Sequence, residues 1–109
     1  MASSQYLTAK VHTIIRTTIG QYDVNQAVTQ GHERAHVHPG SVTFIQRFGS
    51  ALNLHLHFHI LFLEGVYLDR TTVGLKPRLL AGAPPTDPDI AVVLQNISHR
   101  VIRMLRRTM

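Results

Sequence analysis

The sequence predicts an α+β fold, in which helices flank an antiparallel sheet. Three observations favour this class. Residues 42–48 and 52–63 alternate apolar and polar side chains, as strands with one solvated face do. Residues 88–107 repeat apolar side chains at helical spacing. Hydrophobic residues make up 44% of the 109 positions, which suffices for a folded core.

Residues 6–19 are predicted to form a helix, because their apolar side chains recur at spacings of three and four. Gly20 is expected to end it. Residues 20–40 are polar and rich in Gly, Asn and Gln, which indicates a loop closed by Pro39-Gly40.

Three strands are expected in the middle of the chain. The first two are residues 42–48 and 52–63. Glu64-Gly65 has the composition of a two-residue hairpin turn, so residues 66–70 are expected to continue the sheet as a third strand.

The C-terminal helix is the strongest helix signal in the chain. A Pro-rich link, residues 81–88, leads into a helix over 88–107, with Asp87 as N-cap and Pro88 at the first helical position. Three arginines lie away from its apolar stripe and form either a solvated face or contacts to phosphate: Arg100, Arg103 and Arg107.

Composition excludes several classes of protein. Without cysteine there is neither a disulfide framework nor a thiolate metal site. No apolar run approaches the ~20 residues of a membrane helix, and no signal peptide is apparent, so we expect a cytoplasmic protein without a membrane partner. The net charge of +5, carried mostly by arginine, favours nucleic acid, because a guanidinium group can bind two phosphate oxygens at once.

Three histidines occupy alternate positions in the segment "NLHLHFHIL", residues 53–61. Side chains two apart on a strand project from the same face, ~6.6–6.8 Å apart, so two imidazoles could bind one divalent ion at ~2.1 Å. Three would span ~13 Å, too far for a single ion on a straight strand. The spacing therefore predicts a metal-binding pair with a flanking histidine, or else the polar face of a half-buried strand.

The surrounding segment, "GSVTFIQRFGSALNLHLHFHILFLEGVYLD" (40–69), resembles the core of the rolling-circle insertion-sequence transposases, the two-tyrosine group of the HUH nucleases. Their motif is His–hydrophobic–His on a central strand, between a "TFIQRFGSALNL" type of segment and an apolar run that ends in an acidic–Gly turn. The resemblance implies a partial HUH nuclease-like domain, with His57 and His59 binding Mg²⁺ or Mn²⁺ and His55 flanking them. Gln46 is the candidate third ligand.

The resemblance also implies a function. Such enzymes nick single-stranded DNA at transposon ends and transfer the strand, using a tyrosine nucleophile on a helix downstream of the histidines and no small-molecule cofactor. Tyr6, Tyr22 and Tyr67 do not occupy that position, so the nucleophilic tyrosines are expected beyond Met109, and the family's cysteine-rich zinc ribbon is missing. We therefore expect residues 1–109 to be one partial transposase core domain, inactive in cleavage by itself, from a bacterial protein that acts at the nucleoid.

Two other functions stay open on the sequence. The first is a non-catalytic basic domain that binds nucleic acid through charge alone. The second, more remote, is a zinc protease, because "HERAH" (32–36) fits H-E-x-x-H. That motif needs a helix of several turns, and Gly31 and Pro39 leave room for about two turns at most.

Overall fold

A computed structural model describes residues 4–48, 55–63 and 65–108, without the side chains of residues 4 and 45–58. Helix α1 precedes all strands and helix α2 follows them, and the strand pairs are antiparallel. The predicted α+β class is confirmed. The elements are α1 (Ser4–Thr29), β1 (Val37–His38), β2 (Ser41–Phe48), β3 (His55–Phe62), β4 (Gly65–Leu68), β5 (Arg78–Ala81) and α2 (Asp87–Thr108), with 3-10 turns at Arg34–His36 and Thr71–Val73.

The described strands form two separate sheets. Strands β1, β4 and β5 make a three-stranded sheet with β4 in the centre, and β2 and β3 make a two-stranded ribbon. The ribbon is connected to the rest of the chain at its open end, where the Leu63 amide donates to the Gly40 carbonyl at 2.9 Å. A second connection joins β2 to α1, where His12 Nε2 lies 2.8 Å from Thr43 Oγ1.

The buried core lies between α1 and the three-stranded sheet. Val66 and Leu68 are buried while Tyr67 between them is exposed, as expected for a strand with one face on the core. The buried cluster consists of Val24, Ala27, Val37, Val66 and Leu68.

Helix α1 is longer than predicted, because it runs through Gly20 to Thr29 and includes half of the predicted loop 20–40. Gly20, Val24 and Ala27 are buried at helical spacing. Glycine at position 20 leaves room for the Pro39 ring to pack against the helix, because an added Cβ would lie only 3.2 Å from Pro39 Cγ. The buried stripe of this half consists of small residues, so its hydrophobic pattern is weak.

The predicted hairpin between residues 52–63 and 66–70 is wrong. Strand β4 pairs with β1 on one side and with β5 on the other, so neither of its edges is open to β3. Burial of its alternate residues against α1 is the physical reason for this pairing. Positions 52–54, predicted to begin the second strand, and Glu64, predicted in the turn, lie outside the described residues.

Helix α2 begins with a capping box one residue before the predicted cap. The Thr86 amide donates to Asp89 Oδ2 at 3.0 Å, and the Asp89 amide donates to Thr86 Oγ1 at 3.3 Å. Thr86, not Asp87, is therefore the N-cap, since its carbonyl accepts the Ile90 amide at 3.0 Å. No helix in the described ranges combines the length and apolarity that crossing a membrane requires.

Candidate metal and nucleic-acid site

The β2–β3 ribbon holds every residue predicted to bind the metal. Its antiparallel register sets Gln46 directly opposite His57, Phe44 opposite His59 and Phe48 opposite His55. Directly opposed residues share a face of the sheet, with Cβ atoms about 4.5–5.5 Å apart. Gln46 was predicted on the strand next to the histidines, and the register makes it the cross-strand partner of His57.

The two faces of the ribbon differ in their surroundings. On the inner face Thr43 bonds to His12 of α1, and Ile60 and Phe62 are half-buried. On the outer face, which we define by the two opposed pairs Val42–Leu61 and Phe44–His59, all four residues are exposed. The proposed metal ligand His59 therefore lies on the side of the ribbon away from α1.

The structure describes the side chains of only some of the predicted metal ligands. The side chains of Gln46, His55 and His57 lie outside the described residues, and His59 is the one predicted ligand whose side chain is described. Among the side chains that are described, no three His, Asp or Glu groups lie close enough to hold a metal ion. The strand register places His57, His59 and Gln46 at neighbouring positions on the same face of the ribbon. That the three bind one metal ion stays a prediction.

The nucleophilic tyrosines predicted from the resemblance have no counterpart on the helix that follows the histidines. Helix α2 ends at Thr108, and its sequence contains no tyrosine. The tyrosines were expected beyond Met109, and Met109 itself lies outside the described residues. The position of the nucleophile therefore stays a prediction.

The three arginines predicted to contact DNA have different environments. Arg100 donates to Thr18 Oγ1 at 3.1 Å and to Gln21 Oε1 at 2.9 Å, so it joins α2 to α1. Arg103 and Arg107 are exposed on the last two turns of α2. Of the predicted three, only these two present guanidinium groups that are not engaged in the interhelical contact.

Two further arginines near the ribbon were missed by the sequence reasoning. Arg16 of α1 and Arg34 of the first 3-10 turn both line a cavity of about 340 Å³, together with Gly40 and Ser41 at the start of β2. Arg34 also donates to Asn25 Oδ1 at 2.6 Å. The two arginines are far apart in the sequence, so no local pattern indicated that they share a cavity.

Carboxylates neutralise few of the cations whose side chains the structure describes. Within the described ranges a single ion pair forms, between His36 Nε2 and Glu33 Oε2 at 3.9 Å, and it involves neither lysine nor arginine. Cations without carboxylate partners can bind a polyanion such as a nucleic acid. Each arginine that contacts a phosphate then releases a counterion from it.

The H-E-x-x-H segment lacks the geometry of a zinc protease. Only Arg34–His36 are helical, as a 3-10 turn of three residues, and β1 begins at Val37. Two histidines four apart face one ion only when an α-helix carries both of them. The backbone of residues 32–36 is therefore incompatible with a zinc-protease site, because it does not form the α-helix that the motif requires.

Residues 40–79 match a family model whose description reads "Putative transposase". The match supports a transposase role. The matched residues include β2, β3, β4 and the first half of β5, and they cover neither helix. No match was found among curated proteins or among solved structures.

Proposed function

We propose that this chain is the metal- and DNA-binding core of a transposase of the two-tyrosine HUH type, which nicks single-stranded DNA and transfers the cut strand. The observation that carries the proposal is the ribbon register, in which Gln46 is the direct partner of His57. The family match over residues 40–79 supports the coarser transposase role on which this proposal builds.

His57 and His59 would hold the metal, with Gln46 as third ligand. Imidazole does not by itself select Mg²⁺ or Mn²⁺, but the amide oxygen of Gln46 and the phosphate oxygens of DNA are hard ligands that suit both ions. The exposure of His59 supports this donor set, because DNA can approach the outer face of the ribbon. When bound, the ion would polarise a DNA phosphate and offset the charge that develops on it.

Positive charge would hold the rest of the strand. Arg103 and Arg107 on α2, with Arg16 and Arg34 beside the ribbon, are the candidate phosphate contacts. Arg100 takes an interhelical role in this scheme because its donors already bind α1. Arginine suits these positions because its planar fork matches two phosphate oxygens.

By itself this chain would bind DNA without cleaving it. Desolvation and a side-chain hydrogen bond to Asp89 raise the pKa of the Tyr22 phenol, so less of it ionises to the nucleophilic phenolate. Tyr67 lies on β4 in the other sheet, and Tyr6 lies near the start of α1. These placements support binding without nicking.

Two measurements test the proposal. Electron paramagnetic resonance follows the binding of Mn²⁺ in the absence of DNA, and fluorescence anisotropy follows the binding of a labelled single-stranded oligonucleotide. His57→Ala and His59→Ala should each weaken Mn²⁺ binding by at least about 10-fold. EDTA should weaken DNA binding of the parent chain and leave the two variants unchanged. His38→Ala is the matched control, since His38 is an exposed strand histidine on β1, outside the ribbon.

A charge-only basic domain is the second candidate, favoured by the lysines and arginines that form no ion pairs in the described ranges. Its DNA binding would be indifferent to EDTA and to both histidine substitutions. It would still fall with salt, and each lost phosphate contact would lower the slope of log K against log[salt] by about 0.7. That pattern would replace the nuclease proposal.

A further inference from the structure

The outer face of the ribbon is apolar as well as exposed. Val42 is 55%, Phe44 54% and Leu61 65% exposed, and the register joins them in two neighbouring cross-strand pairs. The only polar member of the two pairs is His59, directly opposite Phe44. A contiguous apolar patch of this kind on a strand pair indicates a binding surface rather than a solvated face.

The charge and geometry of the chain favour a nucleotide as the occupant of this patch. A phenyl ring next to a phosphate-binding group can accommodate one nucleotide, with its base on the ring and its phosphate beside the histidine. The net charge of +5 and the absence of carboxylate partners for lysine and arginine within the described ranges complement a polyanion. A purely apolar protein partner would leave the cations around the ribbon unused.

We propose that Phe44 is a base-stacking residue for single-stranded DNA, with Val42 and Leu61 extending the apolar platform. The inference rests on the proposed function. It adds a residue, Phe44, that positions the DNA through its base, whereas the metal and the arginines bind phosphate. Stacking tolerates any base because each base presents a π-face. Bases in a duplex are already stacked on each other, so this surface selects single strands.

The chain contains no tryptophan, which makes a direct measurement possible. Phe44→Trp introduces a single indole on the outer face, and its emission should be quenched when a single-stranded oligonucleotide binds in Mg²⁺, which, unlike paramagnetic Mn²⁺, does not itself quench the indole. Tyr67→Trp is the matched control, because Tyr67 is an aromatic strand residue 44% exposed on β4, in the other sheet. Its emission should change little in the same titration.

Affinity provides the second measurement. Phe44→Leu keeps an apolar side chain but removes the ring, and should weaken single-strand binding by about 5- to 150-fold, the range for loss of one stacked base. An abasic oligonucleotide of equal length and charge should bind the parent chain more weakly than the normal oligonucleotide does. The Phe44→Leu chain should discriminate less between the two oligonucleotides, and the comparison on the parent chain needs no variant to fold.

Several results would overturn the inference. Binding seen by anisotropy without quenching of the Phe44→Trp emission, or equal affinity of the parent chain for normal and abasic strands, would reject stacking and leave the proposed function intact. Emission that shifts with protein concentration in the absence of DNA would show that a second copy covers this face. No binding of single-stranded DNA in any condition would refute the proposed function together with the inference.

Discussion

The two sheets of this protein use similar strands for opposite purposes. In the three-stranded sheet, β4 buries Val66 and Leu68 against α1 and has partners on both edges. In the ribbon, β2 and β3 have only each other among the described strands, and they expose apolar residues together with His59. The first arrangement excludes water and the second presents side chains to it.

This contrast indicates that stability depends mainly on the three-stranded sheet and binding mainly on the ribbon. Burial of apolar surface is the main favourable term in folding, so the three-stranded sheet and α1 should dominate the free energy of unfolding. Residues of the ribbon can then be exposed for binding at little cost to the core. Substitutions in the two sheets should separate accordingly, with stability changes in one and binding changes in the other.

The largest expected effect is that of Gly65→Ala at the start of β4. Gly65 has a φ of +147°, and an added Cβ would collide with the backbone oxygen of Leu80 on β5. Because that oxygen belongs to the strand pair itself, the pair must separate. We expect a loss of more than about 3 kcal/mol in the free energy of unfolding, measured by urea denaturation followed by circular dichroism.

Gly31→Ala is the matched control for this effect. Gly31 also has a positive φ, +100°, but nothing lies within 4 Å of an added Cβ. Its cost should be only the backbone strain, about 1–2 kcal/mol. If Gly65→Ala and Gly31→Ala lowered the free energy of unfolding equally, the β4–β5 pairing would contribute little to stability. The claim that stability depends mainly on the three-stranded sheet would then be contradicted.

The same substitution at two valines compares the sheets directly. Val66 is 2% exposed on β4 and Val42 is 55% exposed on β2. Val66→Ala should lower the free energy of unfolding by about 2 kcal/mol, since it removes buried methyl groups and leaves a cavity. Val42→Ala should stay within about 0.5 kcal/mol of the parent chain. A large loss for Val42→Ala would show that the outer face of the ribbon is covered in the folded protein.

The smallest expected effect concerns Asp23 of α1, beside the core residue Val24. Asp23 lines a cavity of about 550 Å³ between the two helices, and burial raises the pKa of its carboxyl from 3.8 to about 6. The folded state therefore holds this proton more tightly than the unfolded state does. Ionised Asp23 destabilises the fold, with no cost below pH 3.8 and the full cost above pH about 6.

Asp23→Asn should accordingly stabilise the protein at pH 7 by roughly 1 kcal/mol, after allowance for solvent screening of a partly exposed group. The gain should shrink to nothing at a pH below 3.8, as thermal unfolding across the pH range would show. Asp69→Asn should act in the opposite direction at pH 7, because hydrogen bonds from Thr71 lower the pKa of Asp69. A gain for Asp23→Asn that is the same at every pH would contradict desolvation as its cause.

Local patterns predicted some elements well and others not at all. The strand over 42–48 and the amphipathic helix over 88–107 lie within one residue of the observed Ser41–Phe48 and Asp87–Thr108. The second half of α1 was predicted as a loop because it is polar and rich in Gly, Asn and Gln, and its buried stripe of Gly20, Val24 and Ala27 is too small to give a strong apolar period. Small residues are favoured there because other segments pack closely on the helix.

Local patterns in the sequence suffice for the α+β class, for the alternating histidines and for the resemblance that makes His57 and His59 a candidate metal pair. Three features became visible only in the folded chain: the described strands divide into two sheets, Gln46 lies opposite His57, and Arg100 joins the two helices. The physical reason is separation along the chain. Periodicity records which face of one element is apolar, whereas strand partners and interhelical bonds depend on residues that are distant in sequence and meet only after folding.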